Sequence, residues 1–252
     1  MNPPGTIEAA DLIVPDWPAP AGVRALVTTR RGGVSTGPHD ALNLGTRAGD
    51  DPAAVVENRR RLDALLPGPA RWLQQVHGNR VVAAHSIDAP PEADASWTDQ
   101  AGVVCTVMIA DCMPVLLCSD DGLRVAAVHC GWRGLASGAL ENTLAAIGTD
   151  PRRVIAWLGP AIGPTAFEVG PDVRDAFLAF DGSDAIAFVP APSSPGKWHA
   201  DLFALGRRRL ARAGVDRVHG GGLCTVSDPG RFFSYRRDRV TGRMAALVWR
   251  AR

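Results

Sequence analysis

The sequence predicts an α/β fold in one domain, and two observations support that prediction. Three short apolar segments, at residues 102–109, 114–118 and 123–130, follow one another closely, with a turn signal at residues 120–122 between the last two. Continuous apolar runs of this length are typical of strands that are covered on both faces. Segments with helical periodicity stand before and after these runs, so we expect helices to cover the sheets that the strands form.

Length and composition fit a single folded unit. The 252 residues are 46% hydrophobic, which is enough for a sizeable core, and no internal repeat or low-complexity linker divides them. Residues 1–20 are proline-rich and lack periodicity, so we expect an extended N-terminal arm before one domain over residues 21–252. The formal net charge of +1 gives no general attraction to nucleic acid or to an anionic membrane.

The cysteine content indicates a reducing compartment. The five cysteines form an odd set without any Cys-X-X-Cys pair, which argues against a disulfide framework. The N-terminal segment lacks the basic and apolar regions of a signal peptide, and no apolar run is long enough to cross a bilayer. We therefore expect a cytoplasmic protein that does not associate with membranes.

Four segments carry helical patterns. The first begins with Asp51 as a typical N-cap and Pro52 at the first helical position. Basic runs at residues 59–61 and 207–209 fall inside two of these segments, where such runs usually form a solvated face. The predicted helices cover residues 51–66, 135–148, 173–180 and 199–214.

A glycine-rich loop at residues 30–45 follows a strand predicted at residues 24–29. Glycines such as Gly33 let backbone N–H groups approach an anion, and Arg30 at the strand end could bind a phosphate with its guanidinium fork. The loop lacks the ending of a Walker loop, and a plain surface loop is the more frequent outcome for such a segment.

Two apolar runs each deliver a potential metal ligand. Cys112 stands just after the first run, and His129 stands at the end of the second. Thiolate sulfur and imidazole nitrogen suit a borderline metal such as zinc, and the same pair could instead act as a Cys–His nucleophile. A cysteine after an apolar run is most often plain core, but Asp111 and Arg133 add polar groups that a core strand would lack.

His77 is a third candidate ligand. It precedes a tight turn at Gly78 and Asn79 in the segment 71–85, which has the pattern of a strand, a turn and a strand. A histidine at a turn is usually polar surface. What distinguishes His77 is the pair of glutamines beside it, including Gln75, and the candidate ligands that follow downstream.

A polar cluster near the end of the chain has the composition of a ligand pocket. Tyr235 is the only tyrosine, and it stands between Ser234 and Arg236. Hydroxyl and guanidinium groups at this density are more compatible with a binding surface than with core.

Taken together, these segments resemble the YfiH-type family, whose members are also called laccase-domain proteins. The matching motifs cover nearly the whole chain, from residue 11 to residue 249, and the set is highly specific. The resemblance implies a layered α/β architecture of mixed β-sheets flanked by helices, with a single catalytic domain. The motifs are TTRRGGVS (28–35), LNLG (42–45), ENRRRL (57–62), QQVHGNRV (74–81), ADCMPVLL (110–117), AAVHCGWRG (126–134), WLGPAIGPTAFEVG (157–170) and FFSYRRDRVTGRMAALVW (232–249).

The resemblance also implies a zinc ion held by two histidines and one cysteine, which fall on His77, Cys112 and His129. Three protein ligands leave one coordination position open, as in catalytic zinc sites. Cu2+ could displace zinc from such a site in vitro, because it binds more tightly. Other residues lie inside the family motifs: we expect catalytic roles for Asp111, Cys112, Arg133 and Glu168, and substrate or phosphate binding by Arg30, Gly33, Asn43, Gln75, Ser234, Tyr235 and Arg236.

The family is associated with phosphorolysis of adenosine, inosine, guanosine and methylthioadenosine, and with hydrolytic deamination of adenosine. We therefore expect a purine nucleoside and phosphate as ligands of a monomer or weak homo-oligomer. In deamination a carboxylate must move protons while water attacks the purine ring. Asp111 is the nearest carboxylate to the ligands in sequence, and Glu168 is the second candidate.

Three other functions stay open at this point. The resemblance also allows an amidase that removes wrongly incorporated L-serine from a UDP-linked muropeptide precursor. A copper polyphenol oxidase needs many histidines, usually in His-X-His pairs, whereas the six histidines here include no such pair. A zinc-stabilised binding module without catalysis is the third, and an open coordination position argues against it.

Overall fold

The computed structural model describes residues 6–251, which form strands and helices in a mixed order. The helices are α1 (Pro52–Asp63), α2 (Trp132–Ala136), α3 (Ala139–Ile147), α4 (Pro171–Leu178), α5 (Leu202–Arg212) and α6 (Tyr235–Asp238). The strands are β1 (Leu12–Ile13), β2 (Val23–Thr28), β3 (Ala70–Arg71), β4 (Val81–Ala83), β5 (Ala95–Thr98), β6 (Val104–Ile109), β7 (Met113–Ser119), β8 (Val125–Cys130), β9 (Val154–Leu158), β10 (Glu168–Val169), β11 (Phe188–Pro190), β12 (Trp198–Ala200), β13 (Arg217–Gly220) and β14 (Met244–Arg250).

The strands form three sheets. A five-stranded sheet has the order β1-β2-β14-β6-β3, a six-stranded sheet has the order β13-β9-β7-β8-β5-β4, and β10, β12 and β11 form a small third sheet. Both large sheets are mixed: β14 is antiparallel to β2 and β6, whereas β3 runs parallel to β6 and β13 runs parallel to β9. The predicted α/β class with mixed sheets and flanking helices is confirmed.

The two large sheets pack face to face between layers of helix. On β7, Val115 and Leu117 point to the side where α3 and α5 pack, while Leu116 belongs to the cluster shared with β6 and β14. On β14, Leu247 packs with Leu62 of α1, on the face directed away from the six-stranded sheet. Alternate side chains of one strand therefore serve two different core clusters, which explains the continuous apolar runs in these strands.

Asp201 and Asp51 begin the two longest helices. The Asp51 side chain accepts a hydrogen bond from the Ala53 amide at the start of α1, and Asp201 accepts one from Ala204 at the start of α5. The helix expected over residues 135–148 is divided, because Gly138 has a left-handed φ of 94° between α2 and α3.

Two other expectations differ from the structure. The segment 71–85 is not a hairpin: β3 pairs with β6 of the five-stranded sheet, and β4 pairs with β5 of the six-stranded sheet. Residues 1–5 of the expected N-terminal arm lie outside the described residues. The described remainder of the arm is not merely extended, since β1 adds to the edge of the five-stranded sheet beside β2.

Candidate active site

The three predicted ligands meet at one end of the antiparallel pair β7 and β8. Met113 lies opposite Cys130 and Pro114 lies opposite His129, so Cys112, which directly precedes β7, is next to the end of β8. His77 comes from the turn between β3 and β4. The ligand atoms of His77, Cys112 and His129 all lie within 4.8 Å of one another. Among residues 6–251 this is the one such group of three or more potential ligands.

A buried carboxylate, Asp94, positions both histidines. Its oxygens accept hydrogen bonds from the amides of Val76, His77 and Gly78, at 3.2, 2.9 and 2.7 Å. Its Oδ1 atom also lies 2.8 Å from Nδ1 of His129, which leaves Nε2 of that ring as the ligand atom. Burial alone would raise the pKa of Asp94, but the hydrogen bonds from His129 and the backbone lower it. A carboxylate in this position fixes the tautomer and the orientation of a metal-ligating histidine.

The same carboxylate stabilises an unusual backbone conformation at His77. This residue has a left-handed φ of 61°, which is uncommon for a residue other than glycine. The three consecutive amides that donate to Asp94 hold the turn in this conformation, and the exposed residue His77 thereby joins the cluster.

Gly131 keeps the cluster accessible. A Cβ atom at this position would lie 2.9 Å from Sγ of Cys112 and 3.1 Å from Cδ2 of His77. Any side chain larger than hydrogen would therefore press on two of the three candidate ligands.

The electrostatics of the cluster favour a thiolate. Burial alone would raise the pKa of the Cys112 thiol, but the charges and hydrogen bonds of His129 and His77 lower it to about 6. For His129, burial would lower the pKa, but Cys112 and Asp94 raise it to about 9. Two imidazole nitrogens and one thiolate within this space fit a zinc ion, and three protein ligands leave room for a fourth, exchangeable one.

The cluster lies in the wall of a cavity of about 910 Å³. Asp111, Gln75, Tyr235 and Arg236, which the sequence analysis singled out, line the same cavity. Asp111 has a left-handed φ of 86°. Its Oδ1 accepts a hydrogen bond from Oγ1 of Thr225 at 2.5 Å, and its Oδ2 accepts one from the Arg236 amide at 2.6 Å. This carboxylate is therefore held rigidly beside Cys112.

Arginine dominates the charge of the cavity. Asp111 is the one carboxylate in the wall, against five guanidinium groups, and none of the five forms an ion pair with a carboxylate in the described part of the chain. A cavity with this charge balance is suited to an anionic ligand. The arginines are Arg47, Arg59, Arg236, Arg239 and Arg243.

Arg30, Glu168 and Arg133 lie elsewhere. The Arg30 guanidinium lines a second, smaller cavity, where it donates to the carbonyls of Asp40 and Pro229 at 2.8 and 3.1 Å. Glu168 in β10 accepts hydrogen bonds from Ser194 and Lys197, and these contacts lower its pKa. Arg133 is exposed, with its guanidinium 4.5 Å from the centroid of the Trp132 ring.

Gly33, Asn43 and Ser234 are not among the residues that line the larger cavity. A Cβ atom on Gly33 would lie 2.2 Å from the Ala41 carbonyl oxygen, so two parts of the loop touch there. The Ser234 hydroxyl caps α6 by accepting from the Arg237 amide at 3.2 Å. Asn43 is completely buried, and its side-chain amide joins two segments of the chain.

Sequence reasoning did not identify Asp94, Thr225 or the arginines outside the 234–236 run. Asp94 directly precedes β5, and an acidic residue between two alanines at a strand start is a signal that could have been used. Arg59 stands in a basic run that resembled a solvated helix face. Arg60 and Arg61 both pair with Glu57, whereas Arg59 projects from a different side of α1 and lines the cavity.

Comparison with known proteins identifies a large group of relatives. The family model described as multi-copper polyphenol oxidoreductase laccase matches residues 24–251. A purine nucleoside phosphorylase of Pseudomonas aeruginosa is 56% identical over 237 residues, covering 94% of this chain and 97% of the relative. The purine nucleoside phosphorylase YfiH of Escherichia coli is 51% identical over 241 residues, covering 94% and 98%.

Solved structures show the same fold. A crystal structure of a Neisseria meningitidis protein superposes with a TM-score of 0.94 at 50% identity, covering 96% of this chain and all of that one. YlmD from Geobacillus stearothermophilus superposes with a TM-score of 0.85 at 32% identity, covering 99% and 100%. Within residues 6–251, no helix has both the length and the apolar character needed to span a bilayer.

Proposed function

The chain belongs to the laccase-domain family that includes the YfiH proteins, and from this membership we propose that it is a zinc-dependent purine nucleoside phosphorylase that also deaminates adenosine. The observation that supports the proposal most directly is the sharing of one cavity by the His77–Cys112–His129 cluster, a fixed carboxylate and five arginines. Its nucleoside substrates would be adenosine, inosine, guanosine and methylthioadenosine.

Phosphorolysis requires an anion and a neutral nucleoside in the same cavity. An oxygen of hydrogen phosphate forms a bond to the anomeric carbon of the ribose. The electron pair of the broken glycosidic bond leaves with the purine, which gains the proton that phosphate gives up. The cavity arginines would hold the phosphate, and their positive charge would offset the negative charge that approaches the ribose.

Deamination requires a proton carrier. Water adds to carbon 6 of adenosine and ammonia leaves. The Asp111 carboxylate would accept a proton from the attacking water and pass it to the purine ring. Thr225 and the Arg236 amide hold the Asp111 oxygens in place, whereas Glu168 is engaged by Lys197 outside the cavity. We therefore assign the acid–base role to Asp111.

We propose zinc as the metal, with His77, Cys112 and His129 as its ligands. When bound, zinc would supply a Lewis acid and lower the pKa of a coordinated water. The chain prepares the site through Asp94 and through a Cys112 thiol whose pKa is already lowered to about 6. A multi-copper oxidase needs several copper sites, but the described residues hold one group of this kind, so we favour zinc over copper.

The setting proposed for the enzyme follows from its thiols and its charge. All five cysteines are free, which fits a reducing cytoplasm. We propose a monomer or weak homo-oligomer that acts on small molecules and binds neither nucleic acid nor membranes, in keeping with a net charge of +1.

The test is a chromatographic assay of the zinc-loaded protein with adenosine, with and without phosphate. We expect adenine only when phosphate is present, and inosine in both conditions. Cys112→Ala should lose zinc, measured by metal analysis, together with both products, because one ligand of three is removed. The matched control is Cys224→Ala, which removes a half-buried thiol that does not line the cavity and should keep both products.

Two results would overturn this proposal. Near-normal turnover by metal-free Cys112→Ala would exclude a role for zinc. Absence of nucleoside turnover in zinc-loaded protein would exclude the nucleoside function, and release of L-serine from the muropeptide precursor would then identify the amidase alternative.

A further inference from the structure

Arg243 lies in the cavity wall together with Cys112 and Asp111, whose negative charges act on it. Its guanidinium is partly buried, and only Nη1 is engaged, by donation to the carbonyls of Thr241 and Gly242 at 2.9 and 3.0 Å. Burial lowers its pKa, while the negative charges of Cys112 and Asp111 act against that change. No carboxylate of residues 6–251 pairs with this guanidinium, so a positive charge stands partly desolvated beside the cluster.

A second segment of the cavity wall, residues 43–48, is hydrogen-bonded to the backbone of Arg243. Oδ1 of Asn43 accepts hydrogen bonds from the Gly45 amide at 2.9 Å and from the Arg243 amide at 2.8 Å. The Leu44 amide also donates to the Arg243 carbonyl at 3.0 Å. Residues 45–48, which include Arg47, line the cavity directly after this contact.

Residues 43–48 and Arg243 are also closely packed against each other. A Cβ atom on Gly45 would lie 2.7 Å from Cγ of Arg243, so the arginine stem occupies the place that a side chain at position 45 would take. Asn43 is itself fixed, because its Nδ2 donates to Asp50 Oδ2 at 2.9 Å. Breaking the Asn43 contacts would therefore shift Arg47 and Arg243 relative to each other.

Arg59 adds fixed positive charge to the same wall. Its Nε and Nη2 both donate to the Leu44 carbonyl, at 2.9 and 2.8 Å, and its guanidinium stacks 3.9 Å from the Trp72 ring centroid. Burial lowers its pKa to about 10, so the group remains protonated at neutral pH. The wall formed by residues 43–48, Arg59 and Arg243 thus carries three guanidiniums without a carboxylate.

We propose that Arg47 and Arg243 bind the inorganic phosphate substrate, with Asn43 as the residue that positions them and Arg59 as a fixed charge behind them. A nucleoside is neutral, so it leaves these charges uncompensated, whereas a phosphate dianion complements two guanidinium forks. Arg30, expected to bind phosphate, is instead bound to two backbone carbonyls in a different cavity. The inference rests on the proposed function, in which phosphate is the second substrate.

The experiment measures phosphate in two independent ways on zinc-loaded protein. Phosphorus NMR titration with inorganic phosphate reports binding without turnover, and steady-state assays give the KM for phosphate and for adenosine. Arg47→Gln and Arg243→Gln should each raise the KM and the dissociation constant for phosphate by about tenfold or more, with less than about a twofold change in the KM for adenosine. The matched control is Arg152→Gln, at an exposed arginine paired with Asp150.

Deamination supplies an internal reference, because it consumes no phosphate. Both cavity variants should lose much more of their phosphorolysis than of their deamination. Asn43→Ala should raise the phosphate KM by a larger factor than it lowers the deamination kcat/KM, whereas general loss of folded protein would lower both activities equally.

The outcomes separate the inference from the proposed function. Phosphate binding that depends on Arg47 and Arg243, in a protein without nucleoside turnover, would keep the phosphate site and reject the phosphorylase. Phosphate binding and KM values equal to the Arg152→Gln control in both cavity variants would overturn the inference, whatever the fate of the phosphorylase. Equal losses of deamination and phosphorolysis would also overturn it, since the arginines would then act on something common to both reactions.

Discussion

Arginines cluster in two regions of this molecule, and their partners differ. At the surface of α5, Arg208 and Arg212 bind Asp184, whose side chain is fully buried, and Arg212 also pairs with Asp181 at 2.8 Å. In the active-site cavity the five guanidiniums bind backbone carbonyls and aromatic rings or stand free, and none pairs with a carboxylate within residues 6–251.

We interpret the difference as a separation between arginines that stabilise the fold and arginines that are available to a ligand. A buried carboxylate is costly unless it is neutralised, so the arginines around Asp184 satisfy a demand of the folded chain. A guanidinium without a carboxylate partner neutralises no buried charge, so we expect it to contribute little to the free energy of unfolding. The predictions that follow test whether the two regions really separate in this way.

Replacing Asp184 should have the largest effect on stability. Asp184→Asn removes the charge that Arg208 and Arg212 share, and charge-assisted hydrogen bonds of this kind contribute about 2 kcal/mol. We expect a drop of that size in the free energy of unfolding by urea, with the phosphate KM unchanged. Asp150→Asn, at an exposed pair, should cost less than about 1 kcal/mol. An equal loss at both sites would remove the distinction between buried and exposed pairs.

The stability provided by Asp184 should depend on pH. Burial alone would raise the pKa of this carboxyl, but hydrogen bonds from Arg212 and Arg208 lower it below its value in the unfolded chain. The stabilisation is therefore complete above the unfolded pKa of about 4 and is lost as pH falls through the folded pKa. Urea titrations of wild type and Asp184→Asn should differ most above about pH 4 and converge in more acidic solution. A constant difference across this range would contradict the assigned role.

Replacing Arg243 should have the smallest effect on stability. Arg243→Met keeps the apolar stem and removes the desolvated charge, so we expect the free energy of unfolding to change by less than about 1 kcal/mol in either direction. A loss as large as that of Asp184→Asn would make Arg243 a structural arginine and break the comparison between the two regions.

The fold was predictable where the pattern is local. β6, β7 and β8 appear as continuous apolar runs because they are covered on both faces, and α5 follows from its periodicity. The segment 71–85 was not predictable, because β3 and β4 take partners in different sheets. No local pattern encodes the choice between distant strands.

The same division applies to the site. Cys112 and His129 end apolar runs, so their chemistry stands out in the sequence. The arginine wall does not, because Arg59 and Arg243 are separated by most of the chain and reach one cavity only when α1 packs on the sheet that contains β14. Asn43 joins positions that are 200 residues apart, a contact that no spacing rule describes.

The position of β14 has a consequence for how the protein is made. The last strand along the described chain is the central strand of its sheet, where it alone joins β2 to β6. A ribosome-bound chain that has emerged only to residue 240 would present two unpaired apolar strand edges, and it would lack Arg243. We therefore expect truncation before residue 244 to yield aggregation rather than a weakened enzyme, because unpaired edges recruit other chains.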